Sequence, residues 1–226
     1  MKKSSKKSGF TLIELLVVIT IIGILAGLAI PGVNLALDKA KQMKDVANSK
    51  QLGTILFTAA NDNNGVYPMT GFDGTSAATT SNQVFEYLFG DSYLNNPSVL
   101  ATNGCVPFAG TVDGSGDLNP SATGQHVGWD YVGGLTTSDD GRIPLLVTNG
   151  AFTNYTDIPS TGTSSINTSG NLWKDKGVVF LYLGQNAEFV RARTSGGSAT
   201  IGRSGQPVVS NDLADDDADW LPAATN

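Results

Sequence analysis

One carboxylate, Glu14, stands near the start of an apolar run that continues to Ile30, and no other charge interrupts that run. An acidic residue at mid-membrane costs about 2.5–3.5 kcal/mol on insertion scales, so a Glu retained here implies a role that offsets the cost. Its chemistry is charge neutralisation. A free α-amine at Phe10 would have an ordinary pKa of about 7.7–8.0 and so be mostly cationic, the opposite charge to Glu14. Phe10 and Glu14 are four residues apart and share a helix face, where each charge offsets the other's cost in lipid. Between copies, the Glu14 of an incoming chain can instead neutralise the Phe10 amine of a chain already in place.

Two other stretches offer oxygen ligands for a hard cation, with calcium as the candidate. Asp113, Ser115, Asp117 and Asn119 alternate with Gly114, Gly116 and Leu118, the spacing of a loop that wraps an ion. Leu118 stands where an EF-hand needs Gly, and no Glu follows at the twelfth position. The tail is denser in carboxylate, with Asp212, Asp215, Asp216, Asp217 and Asp219, whose mutual repulsion a divalent ion would relieve. A solvated polar loop and a soluble acidic tail account for the same residues without any metal.

Patterns that suggest an enzyme do not hold together. The glycine-rich stretch from Gly197 to Ser204 follows a strand signal and resembles a phosphate loop with Arg203 in place of Lys. A helix must come next to bind the anion, and Gly205, Gln206 and Pro207 forbid one. His126 is the only histidine, and Cys105 has no basic neighbour in sequence, which excludes a histidine zinc site and argues against a thiol nucleophile. Trp129, Trp173 and Trp220 read as core aromatics of a strand-rich domain in preference to a glycan platform. No catalytic activity is expected.

The elements that position Glu14 follow from periodicity. Residues 10–30 suffice to cross about 30 Å of hydrocarbon, and Lys2, Lys3, Lys6 and Lys7 hold the N-terminus in the cytoplasm. Everything after Pro31 then faces the periplasm or the exterior. A secretory signal with Gly27-Leu28-Ala29 as its cleavage site is the competing reading. The run exceeds the usual 7–15 residues of such a signal, which also has no use for Glu14. Pro31, with Gly23, Gly27 and Gly32, either kinks the helix or lets neighbours pack closely.

Residues 31–61 continue the helix as an amphipathic segment. Its apolar face is expected at Leu37, Ala40, Met43 and Ala47, then at Leu52, Ile55, Leu56 and Ala59. The helix would reach roughly 75 Å before the turn cluster Asn61-Asp62-Asn63-Asn64-Gly65 ends it. Residues 62–226 form one head, rich in Gly, Ser, Thr and Asn, with strands expected at 143–148, 178–183 and 187–193. The last two flank Gly184-Gln185-Asn186 and read as a hairpin.

The lysine-rich leader, Gly9, Phe10, the run Thr11-Leu12-Ile13-Glu14, the apolar stretch and Pro31 together resemble the N-terminus of type IV pilins and type II secretion pseudopilins. The resemblance covers roughly the first 60 residues. It implies an α+β pilin-like fold, with a long helix packed on a small antiparallel head. It also implies cleavage between Gly9 and Phe10 by a prepilin peptidase, N-methylation of Phe10, an assembly role for Glu14 and a helix kink at Pro31. The implied partners are further pilin-like subunits, the peptidase, an inner-membrane assembly platform and the lipid bilayer. The subunit is expected first in the bacterial inner membrane, then in a periplasmic or cell-surface filament.

Charge and cysteine content narrow the choice. The chain is −6 overall, and loss of the four leader lysines leaves 10 basic against 20 acidic residues, or −10. Nucleic acid is therefore not expected as the main ligand. The lone Cys105 cannot close an internal disulfide, and among relatives of this type the major pseudopilins commonly use calcium in its place. The expected function is thus a structural subunit of a type II secretion pseudopilus. The alternatives are a type IV pilus subunit for adhesion, motility or DNA uptake, and a secreted enzymatic or carbohydrate-binding domain behind an ordinary signal.

Overall fold

The computed structural model describes residues 10–70, 77–105, 127–154, 157–158, 163–195, 197–202 and 219–221. It is α+β, and it divides into two compact units, residues 1–41 and 42–226. Helix α1 (Leu12–Asp62) contributes to both and runs through Pro31. Proline has no N–H to give the carbonyl of Gly27, which loses its helical donor. In the first unit the large apolar side chains of α1 are all exposed, from Leu12 at 82% to Leu37 at 54%. The helix ends on the expected turn cluster, where Asn64 and Gly65 take positive φ and the Gly65 N–H bonds the Ala60 carbonyl at 2.8 Å.

In the second unit, α1 supplies a buried stripe of two characters. Leu52, Gly53, Leu56, Ala59 and Ala60 are apolar, whereas Gln42, Asp45, Asn48 and Ser49 before them are polar and equally buried. The expected early apolar face is therefore corrected: Leu37, Ala40, Met43 and Ala47 are exposed. Asp45 and Asn48 are buried because two separate segments, at 101–103 and at 173, offer them backbone groups and an indole. Asp45 Oδ2 accepts from Trp173 Nε1 and from Asn103 N, both at 2.9 Å, and Asn48 Nδ2 donates to the Ala101 carbonyl at 3.1 Å. Gly53 lets Leu181 approach so closely that an added Cβ would lie 2.7 Å from its Cδ2.

A second helix, α2 (Ser81–Gly90), went unanticipated in a head that reads as strands and loops. Its signals are an apolar set at Val84, Phe85 and Leu88, all fully buried, and a Thr80-x-x-Gln83 capping box. The described strands are β1 (Trp129–Gly133), β2 (Pro144–Thr148), β3 (Thr163–Ser165), β4 (Gly177–Tyr182), β5 (Ala187–Arg191), β6 (Arg193–Ser195), β7 (Ser198–Gly202) and β8 (Asp219–Leu221). They form a five-stranded sheet in the order β5-β4-β2-β1-β8 and a three-stranded sheet in the order β3-β7-β6, with every named pairing antiparallel.

The three expected strands correspond to β2, β4 and β5, and β4 and β5 form the expected hairpin, with Gln185 at φ 62° in its turn. The third is shorter than expected, because the chain breaks at Ala192 and passes into the second sheet. Strands β1, β2 and β4 are buried along their whole length, so they lack the in-out alternation that would mark them. Asp130, the second residue of β1, is 1% exposed and is held by Asn149 Nδ2 at 2.5 Å and Gly150 N at 2.9 Å.

Candidate assembly site

The first turn of α1 is built by two side chains. Thr11 precedes the helix, and its hydroxyl accepts from the Glu14 N–H at 3.3 Å. Glu14 reaches back, and its Oε2 accepts from Thr11 N at 2.8 Å and from the Thr11 hydroxyl at 2.7 Å. This reciprocal capping box satisfies backbone donors that the helix itself leaves without partners. Thr11 is the participant that sequence reasoning missed, although Thr-x-x-Glu before an apolar run is its signature.

Both Thr11 bonds fall on a single carboxylate oxygen. The other oxygen, Oε1, meets no donor among the described residues, so the cap holds the carboxylate through one oxygen alone. Phe10, Ile13, Glu14, Val17 and Val18 line one shallow, mainly apolar groove along this end of the helix. Phe10 is 74% exposed, and in the intact chain its nitrogen is an uncharged peptide nitrogen. Gly9 lies outside the described residues, and Pro31 lies within α1.

The other candidate sites divide by placement. Asp113, Ser115, Asp117 and Asn119 lie outside the described residues, as do Asp212, Asp215, Asp216, Asp217 and His126. Asp219 opens β8. Among the described residues no group of three or more His, Cys, Asp and Glu is placed to hold a metal. Residues 198–202 of the phosphate-loop look-alike are strand β7. Trp129 and Trp173 are buried in the core, and Trp173 meets the Phe189 ring edge-on at 5.0 Å. Cys105 is partly buried, and that burial raises its thiol above the ordinary range, opposite to what a nucleophile needs.

Comparison with known proteins bears on the site directly. The family model of the prokaryotic N-terminal methylation motif matches residues 4–30, the stretch holding Gly9, Phe10, Thr11 and Glu14. The N-terminus carries a prokaryotic N-terminal methylation motif. The chain is 43% identical over 70 residues to the type II secretion system core protein G of Vibrio cholerae, covering 31% of this chain and 47% of that protein. It is 45% identical over 65 residues to the core protein G of Aeromonas hydrophila, covering 29% of this chain and 45% of the relative. The chain thus spans about half the length of the curated relatives it matches. Both are named as a core protein of a secretion system, and neither by a catalytic activity. No solved structure matches the chain. The matched segment runs into α1, which is long and apolar enough to cross a membrane.

Proposed function

We propose that this protein is a structural subunit of a type II secretion pseudopilus. Prepilin peptidase cuts it between Gly9 and Phe10 and methylates the new amine, and it then polymerises through α1 with pilin-like neighbours. The observation that carries the reading is the capped Glu14 on an otherwise apolar, exposed helix inside a matched methylation motif. Before assembly the helix sits in the inner membrane with its N-terminus cytoplasmic and its head periplasmic, drawn there by the four leader lysines. After cleavage the Phe10 ammonium and the Oε1 side of a neighbour's Glu14 neutralise each other, and the helix leaves the bilayer in register. Work is done by filament growth, not by chemistry in the subunit.

The test is Glu14→Val, with intact mass and filament yield read together. Cleavage and methylation at Phe10 should be unchanged, while filament incorporation falls at least tenfold. Normal incorporation would remove the role assigned to Glu14, and a mature chain starting at Ile30 would remove the filament reading.

Calcium belongs to this reading as a proposal resting on the carboxylates at 212, 215, 216 and 217, with the 113–119 loop as the alternative. Full-length protein should melt several degrees higher in calcium than in chelator. Equal midpoints would dismiss the metal.

A further inference from the structure

The second unit is electrically polarised along α1. Three contacts fix which part of the head lies beside which part of the helix. Trp173 Nε1 donates to Asp45 Oδ2 at 2.9 Å, Leu181 lies against Gly53, and Thr137 N donates to the Gly65 carbonyl at 2.8 Å. Residues 173–177 therefore adjoin the start of this unit's stretch of α1, and the 136–139 turn adjoins its end. Cations gather at the first of these ends. Lys44 is next to Asp45, Lys174 and Lys176 follow Trp173, and the pairing of Gly177 with Arg191 brings Arg191 and Arg193 to the same place. All five residues are exposed, and Lys44, Lys174, Arg191 and Arg193 make no ion pair among the described residues. Against Asp175 and the buried Asp45, the five cations leave this end at +3. The other end carries Asp62, Asp91 and Asp139, all exposed, and the Tyr93 hydroxyl bonds Asp62 at 2.9 Å. Asp62 ends α1 and Asp91 caps α2, and neither helix has a basic residue in its last turn to offset its negative dipole end.

The basic end is the one from which α1 leads back to its apolar stretch. No charge separates Glu14 from Asp38, and Leu37 is the last residue of that uncharged run. Lys44 follows it by about two helical turns, or about 10 Å. The headgroup layer of a bilayer is about 5–7 Å deep on each side, and charges are screened over about 8 Å at physiological salt, so the basic end lies within reach of lipid phosphates. Asp45 and Asp62 are about 25 Å apart along the helix, so the acidic end is about three screening lengths further out and adds little repulsion. An anionic surface thus attracts a head whose overall charge is negative. The tether decides the occupant, because α1 keeps this end beside the headgroups at an effective concentration that a free anion does not match.

We propose that the basic end formed by Lys44, Lys174, Lys176, Arg191 and Arg193 docks on anionic phospholipid headgroups of the leaflet from which α1 emerges, holding the head against the bilayer before assembly. Its strength depends on lipid charge and on salt, as for other basic segments beside a membrane helix. Docking of this kind rests on the pseudopilin reading only in that α1 crosses the bilayer.

Full-length protein reconstituted at high dilution in lipid vesicles tests it, with Cys105→Ser as background and a fluorophore on Ser195→Cys, beside the basic end, or on Ser138→Cys, at the acidic end. Contact quenching by headgroup-spin-labelled lipid should be at least threefold stronger from position 195 in phosphatidylcholine vesicles containing about 30% phosphatidylglycerol than in phosphatidylcholine alone. Position 138 should be weakly quenched in both. Salt at about 0.5 M, or Lys174→Glu with Arg191→Glu, should bring position 195 down to the neutral-vesicle level. Equal quenching in the two vesicles, or indifference to the charge reversals, overturns the proposal. So does quenching that responds to lipid charge only after Asp212, Asp215, Asp216 and Asp217 are changed to Asn, which would assign the basic end to the chain's own carboxylates. Quenching that falls as the protein-to-lipid ratio rises would assign it to a second copy and overturn the proposal too. Flotation of the same vesicles after an alkaline wash scores insertion of α1 separately. Loss of protein from both vesicles removes the membrane reading and the docking with it, whereas retained protein without charge-dependent quenching removes the docking alone.

Discussion

Asp45→Ala should cost about 3–5 kcal/mol, lowering the thermal midpoint of the full-length protein by roughly 10 °C. The side chain is 2% exposed, and one of its oxygens takes both the Trp173 indole N–H and the Asn103 backbone N–H. Removing it leaves the buried Trp173 N–H and the part-buried Asn103 N–H without this acceptor, and an unmet buried donor carries a desolvation cost of about 1–3 kcal/mol. Asp45→Asn keeps an acceptor of the same shape and should lose less than half as much. Calorimetry of the two variants beside the parent checks the ordering; equal losses would show that packing, not hydrogen bonding, is what Asp45 supplies.

Gly177→Ala should be comparably severe, at about 3–5 kcal/mol, from overpacking added to a strained backbone. Gly177 has φ 151°, and an added Cβ would lie 2.8 Å from Cζ of Phe189 and closer still to the Val190 carbonyl oxygen. That oxygen belongs to β5, which is paired with β4, so it cannot retreat without opening the hairpin. The contrast is Gly53→Ala, where the nearest atom is the end of the Leu181 side chain and a rotamer change relieves the contact. Denaturant midpoints for the pair should separate clearly, with Gly177→Ala the worse. The reverse order would place the tighter constraint at the helix and not at the hairpin.

How far the sequence was readable depended on whether a local pattern survived tertiary demands. The long helix and its end were legible, because a long apolar run and an Asn-Asp-Asn-Asn-Gly cluster act locally. The β4–β5 hairpin was legible for the same reason. The buried polar stripe of α1 was not, since Asp45 bonds Trp173 and Asn103, and Asn48 bonds Ala101, all far away in sequence. Strand β1 was passed over because all five residues are buried and no period of two appears. At the candidate site the charge of Glu14 was legible, while its bond to Thr11 was overlooked through attention to the spacing from Phe10. That spacing concerns an α-amine that only a chain beginning at Phe10 would carry.

The division of the α1 stripe into a hydrogen-bonded part and an apolar part sets how it would fail under load. Hydrogen bonds such as those of Asp45 and Asn48 are lost within a fraction of an ångström of sliding, so that stretch is stiff and brittle. Burial of Leu52, Leu56, Ala59 and Ala60 is non-directional and declines gradually as area is exposed, so that stretch is compliant. Tension entering α1 from its N-terminal side meets the stiff part first. Small forces pass to the head without deformation, and larger ones are absorbed over the apolar turns before the core opens.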